Sequence, residues 1–301
     1  MSNESFDIRI ERVEIPCQGE TLVGLLHLPL LDEATPRPAL VFLGPLTSVK
    51  EQVPGHYAEA MAERGFITLS IDNRHFGEST GAPRQYEHPG KKVEDIRAAI
   101  DWLEAREDVD SARFGAVGIC AGAGYMSGAV ADDRRIGAFG AIAGFYHSVE
   151  KQKEWMGEGY ARALARAARA REAFEETGEA EMIPAVGDGE VAMPLAEAFE
   201  YYGTERGDHE NYTNAFALMS REHTLTWDAL ENAKKISQPT LMVHSDNALA
   251  PALARTFHEN LADEDSSLVW MESEGQIDFY DDPDLIEPIA DLLQEHFNSN
   301  L

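Results

Sequence analysis

Between Leu22 and Phe297, short β-rich runs alternate with stretches of helical periodicity, and this rhythm restricts the fold more than any other property of the chain. Strands are predicted at Leu22 to Leu28, Pro38 to Leu43, Phe66 to Ile71, Phe114 to Ile119, Ala138 to Ala143, Thr240 to His244 and Ser267 to Met271. Helices are predicted at Tyr57 to Arg64, Val93 to Ala105, Gly122 to Ala131, Pro251 to Leu261 and Leu285 to Phe297. Strands alternating with helices build an α/β fold, a mostly parallel central sheet covered on both faces. The first two of these strands are expected to pair as an antiparallel hairpin at one edge.

From about Tyr146 to Lys235 the rhythm breaks. A charged, Ala- and Arg-rich helical stretch, Tyr160 to Glu176, is followed by a Gly- and Pro-containing segment through Met193-Pro194, with no strand-length β-branched run. The expectation is a core of residues 1–145 and 236–301, with residues 146–235 inserted as a helical cap. Caps shape pockets and exclude water, so substrate choice is expected to reside there. The other reading is a structural or oligomer-forming excursion, which leaves a homodimer open. Of its aromatic residues, Tyr201, Tyr202, Tyr212, Phe216 and Trp227 are expected to pack the cap onto the body rather than to line a substrate channel.

Within the core, Gly118-Ile119-Cys120-Ala121-Gly122 stands directly behind the apolar run Phe114 to Val117 and ahead of a small-residue helix. A thiol is thereby set where a strand turns sharply into a helix. Small residues on both sides let strand and helix approach, and the next backbone N–H faces an attacked carbonyl. Cys120 is the first candidate nucleophile.

Composition narrows the partners. The 301 residues, 44% of them apolar, suffice for a packed core, and 54 acidic against 25 basic residues give a formal charge of −29. Such a charge repels nucleic acid and anionic membranes and marks a solvated acidic surface, so a small-molecule substrate is the expected partner. No apolar run reaches the roughly 20 residues of a membrane span, and the acidic start, Met-Ser-Asn-Glu, is unlike a secretory signal. A cytoplasmic location is expected, in keeping with only two cysteines, Cys17 and Cys120, placed far apart. With no metal-ligand spacing, Walker loop or dinucleotide fingerprint, cofactor-free and metal-free chemistry is the expectation.

Four stretches together resemble the α/β-hydrolase fold, and specifically its dienelactone-hydrolase-like group with cysteine in the elbow. They are Leu43 to Glu51 after a strand, Asp72-Asn73-Arg74-His75-Phe76-Gly77-Glu78-Ser79, the Cys120 elbow, and His244 to Pro251. The resemblance implies an oxyanion hole from the N–H groups of Ala121 and of Leu46 or Thr47. It implies a tight loop at Asp72 to Ser79 in which Arg74 ties the carboxylates. It also implies an acid after the sixth parallel strand, where Asp246 is preferred on chemistry and Asn247 on register.

The likeness breaks at one position. Val269 to Asp281 resembles the family's last strand and histidine loop, yet Gln276 occupies the histidine slot. An amide has no useful basicity near neutral pH, which excludes a Cys-His-Asp relay through it. Three repairs follow. A cysteine thiolate can attack without a base; His147, after the fifth strand, or His223, in the cap, can replace the histidine; or the fold can have left hydrolysis for acyl transfer, a lyase or isomerase reaction, or ligand binding. The leading expectation is an enzyme acting on an ester, thioester or lactone carbonyl through Cys120. The competing one is a pseudo-hydrolase that keeps the pocket without a covalent intermediate.

Overall fold

The computed structural model describes residues 5–30, 35–263 and 265–301; the acidic start of the chain up to Glu4 lies outside them. Its centre is an eight-stranded sheet built from β1 (Ile8–Cys17), β2 (Glu20–Pro29), β3 (Arg37–Leu43), β4 (Ile67–Asp72), β5 (Val109–Ile119) and β6 (Ile136–Ile142), continued after an excursion by β9 (Thr240–His244) and β10 (Ser267–Trp270). The excursion holds two short strands of its own, β7 (Met182–Ile183) and β8 (Phe216–Ala217). The spatial order of the large sheet is β1-β2-β4-β3-β5-β6-β9-β10. From β4 to β10 every pairing is parallel.

The expected edge hairpin is corrected by this order. The strands predicted at Leu22 to Leu28 and Pro38 to Leu43 became β2 and β3, and β4 lies between them, antiparallel to β2 and parallel to β3. The true hairpin partner of β2 is β1, whose charged Arg9, Glu11, Arg12 and Glu14 dilute its apolar signal. Toward its end β1 nevertheless alternates, with Ile15 and Cys17 buried and Glu14 and Pro16 exposed. Pro16 is tolerated because β1 is an edge strand, where a missing N–H breaks no second ladder.

Helices cover the sheet as the parallel strands demand. The helix Pro283–Asn300 opens with Asp282 accepting the Asp284 N–H at 2.9 Å and buries Leu285, Ile289, Leu293 and Phe297, a row four residues apart along one face. Burying each such side chain contributes about 1.5–3 kcal/mol relative to exposure. Between β6 and β9 lie the helices Val149–Met156, Glu158–Thr177, Ala196–Tyr202, Arg221–Thr224 and Ala229–Ala233. This segment has a small apolar cluster of its own, Ile183, Phe216, Ala217, Leu218 and Met219, joined to the body at Tyr86.

The loop after β4 also differs from expectation. Arg74 does not gather the loop's carboxylates; it turns to Asp95 at 2.5 Å and Glu94 at 3.2 Å. Lys50, fully buried, takes that place, with its Nζ at 2.8 Å from Asp72, 2.6 Å from Glu51 and 2.8 Å from Glu78. The cation comes from the loop behind β3, which is distant in sequence and adjacent only in the sheet.

Candidate active site

All the site-bearing turns leave the carboxyl ends of parallel strands, where open α/β sheets hold their ligands. Cys120 joins β5 to the helix Ala121–Asp132 with φ 53° and ψ −125°, a left-handed backbone rare for a residue with a Cβ. The flanking glycines explain how the turn is kept. A Cβ on Gly118 would stand 2.5 Å from Ala123 Cα, and one on Gly122 would stand 2.3 Å from the Leu43 carbonyl oxygen. The elbow is thus pressed against the end of β3, which brings Leu46 and Ala121 to the wall of one cavity with Cys120.

The Tyr280 hydroxyl and the Ala121 N–H adjoin the sulfur, and both favour its thiolate form. Burial pushes the thiol up to about 11, and the charge of Glu197 acts in the same direction against those two groups. Burial also holds the Tyr280 phenol well above its ordinary 10.0, so it remains a proton donor. Gln276 adjoins Tyr280 and acts on the phenol in the opposite direction. The Gln276 amide otherwise braces the strand ends: Nε2 donates to the Ala143 carbonyl and Oε1 accepts from the Leu249 N–H, each at 2.9 Å. Its own backbone N–H donates to the Glu197 carboxylate at 2.9 Å.

The other sequence candidates are dispersed. Asp246 has a 69% exposed side chain and pairs with Arg255 at 2.9 Å, away from the cavity, and this Arg255 contact holds its carboxyl below the usual range. Asn247 reaches the Ser273 carbonyl at 2.7 Å, bracing the loop that carries Gln276. The Thr47 N–H is directed to buried Glu87 at 3.4 Å, so of the two residues considered for the second oxyanion donor it is Leu46 that faces the cavity. His223 lies outside, stacked on His88 with its Nε2 at 2.6 Å from the Tyr86 hydroxyl. His147 does line the cavity, but it stacks on Tyr125 and its Nε2 is 3.4 Å from that hydroxyl. Burial, and secondly the charge of Lys92, lower His147 to about 3, too weak a base to take a thiol proton.

The cavity beside Cys120 is about 320 Å³ and is lined mainly by apolar side chains. A second cavity of about 240 Å³ shares Leu46, Phe145, His147, Trp155 and Ala192 with it and extends to Arg221. Trp155, 56% exposed, belongs to both linings and marks the way out to solvent. The aromatic residues of the excursion divide: Tyr202 lines the cavity, Tyr201 and Tyr212 pack on Tyr202, and Trp227 is tied to the Gly124 carbonyl at 3.0 Å. Sequence reasoning passed over Tyr280 and Glu197. Tyr280 had one signal, standing one helical turn beyond Gln276; Glu197 had none.

Comparison with known proteins agrees with this architecture. The crystal structure of the hypothetical protein PA2218 from Pseudomonas aeruginosa superimposes with a TM-score of 0.88 at 30% identity, covering 99% of this chain and 95% of that one. The α/β hydrolase GrgF from Penicillium sp. sh18 superimposes with a TM-score of 0.78 at 22% identity, over 96% of this chain and 99% of its own. Polyketide transferase claH of Penicillium crustosum is 26% identical over 243 residues, 77% of this chain and 78% of its own. The family model described as X-Pro dipeptidyl-peptidase (S15 family) matches residues 19–273, and the chain therefore belongs to the S15 family on the α/β-hydrolase fold.

Proposed function

We propose that this protein transfers or hydrolyses the acyl group of a small-molecule thioester through a covalent intermediate on Cys120. The observation that carries the reading is the sulfur itself: a thiol on a strained elbow, lining an apolar cavity, beside a phenol that favours its thiolate. The dienelactone-hydrolase-like cysteine elbow belongs to this reading, as does Gln276 as the neighbour of Tyr280.

Leaving-group chemistry selects the thioester. An amide or alkyl ester expels a strongly basic amine or alkoxide and needs a general acid charged by a prior proton transfer, which an amide side chain cannot provide. In a thioester the leaving group is a thiol like the attacking one. The Cys120 sulfur forms a bond to the carbonyl carbon, the bond from that carbon to the substrate sulfur breaks, and the Cys120 proton passes to the departing sulfur. Tyr280, beside the Cys120 sulfur, is the proposed relay, giving its own proton and taking that of the thiol. The Ala121 and Leu46 N–H groups are the proposed donors to the oxyanion. The similarity to a protein named a polyketide transferase supports acyl transfer.

The test is intact-mass measurement after incubation with an N-acetylcysteamine octanoyl thioester and with ethyl octanoate. An octanoyl adduct from the thioester alone, absent in Cys120→Ala, is the expected result. No adduct from pH 6 to 9 would sink the covalent reading. It would favour a ligand-binding pseudo-hydrolase, the reading that the protonated, buried thiol otherwise suits.

A further inference from the structure

An acyl group on Cys120 has to leave again, and with Gln276 braced between backbone groups and His147 a very weak base, the second half-reaction lacks a residue to take the acceptor's proton. The excursion supplies one. Glu197 opens the helix Ala196–Tyr202 and lines the same cavity as Cys120. Its Oε2 is fixed by the N–H of Gln276, the residue in the histidine slot. Gly275 leaves the room for it, since a Cβ there would stand 2.4 Å from that oxygen. The last residue of the same helix, Tyr202, presents to the cavity a buried hydroxyl with no partner among the described residues. This short helix therefore contributes a carboxylate and a tyrosine to the lining of the cavity that holds Cys120.

We propose that Glu197 is the general base of the release step, taking the place of the missing histidine from the excursion rather than from the loop after β10. The inference rests on the acyl-Cys120 reading. Water, or a hydroxyl acceptor, forms a bond to the acyl carbon while its proton passes to the Glu197 carboxylate. The carbon–sulfur bond then breaks, the sulfur departs toward the Tyr280 and Ala121 donors, and the proton held by Glu197 returns to it as the thiol. The free acid or ester leaves with atoms and charge balanced. In the acyl-enzyme the sulfur is neutral and bonded to carbon, so the anion that disfavours a resting thiolate no longer has a charge to oppose.

The experiment is a pulse of octanoyl thioester followed by timed intact-mass spectra of the full chain. Glu197→Gln keeps a carbonyl oxygen for the Gln276 N–H, so it should acylate normally and then retain the adduct, with hydrolytic release slowed about a hundredfold. Hydroxylamine, a nucleophile that needs no base, should discharge wild type and variant equally, which separates loss of a base from loss of access. Glu200→Gln, on the same helix but exposed and paired with Arg206, should release like wild type. Release from Glu197→Gln at the wild-type rate would overturn the base role while leaving the acyl-enzyme standing. A wild-type protein that never gains the acyl group would overturn both.

Discussion

Cys120 should react as a masked thiol, and the extent follows from its surroundings. With the thiol pushed up to about 11 by burial, the thiolate is roughly one part in ten thousand at pH 7, against a few per cent for an exposed cysteine. The rate of alkylation by iodoacetamide should therefore rise about tenfold per pH unit from 7 to beyond 10, because only the thiolate attacks. Tyr280→Phe removes the one side-chain donor to the sulfur. A hydrogen bond to a charged group is worth about 1.5–3 kcal/mol, or about one to two pH units. The more basic thiolate is a better nucleophile by about 0.4–0.5 log unit per pH unit, so the net fall in rate at pH 9 is about three- to tenfold. The assay is peptide-resolved mass spectrometry of timed alkylation, with Cys17 read in the same samples. Cys17 is likewise buried and pushed up to about 11, but its sulfur contacts Arg74 and Asp95, so the Tyr280 change should leave it alone. A wild-type rate that levels off below pH 8 would refute the reasoning, since the elbow would then hold a ready thiolate. An unchanged rate in Tyr280→Phe would refute the role of the phenol.

Lys50→Met should destabilise the protein by about 3–5 kcal/mol in urea unfolding, because it strips buried Asp72 of its counter-charge; adding Asp72→Asn should recover part of the loss. Asp246→Asn should change the rate of Cys120 acylation by less than about twofold, since an exposed pair with Arg255 contributes little. Gln276→His should raise thioester hydrolysis no more than a fewfold, because both ring nitrogens are needed to replace the bonds to Leu249 and Ala143. A gain near the hundredfold of an oriented base would show that the imidazole turns to the sulfur instead.

What was legible in the sequence was legible where its physical cause is local. Strand, elbow and helix around Cys120 occupy one continuous stretch, and the small residues that permit the tight turn are visible as Gly118, which makes room for the helix, and Gly122, which makes room for the end of β3. The strand β1 escaped because edge exposure fills four of its ten positions with charge. Lys50 with Asp72, and Glu197 with Gln276, were hidden for another reason: each pair joins loops far apart in the chain, and only the order of the sheet or the fold-back of the excursion brings them together.

Asp246 and Gln276 are best understood together. A catalytic histidine must be oriented by an acid, because its function requires one nitrogen free for the nucleophile and the other held. An amide carries both donors and an acceptor, and at Gln276 each of its two polar atoms has a backbone partner, the Ala143 carbonyl for Nε2 and the Leu249 N–H for Oε1. Nothing then requires a carboxylate behind that position. The outward turn of Asp246 to Arg255 is on this reasoning the counterpart of an amide at position 276, and the acyl-enzyme reading proposed above puts the proton traffic on the side where Tyr280 and Glu197 stand.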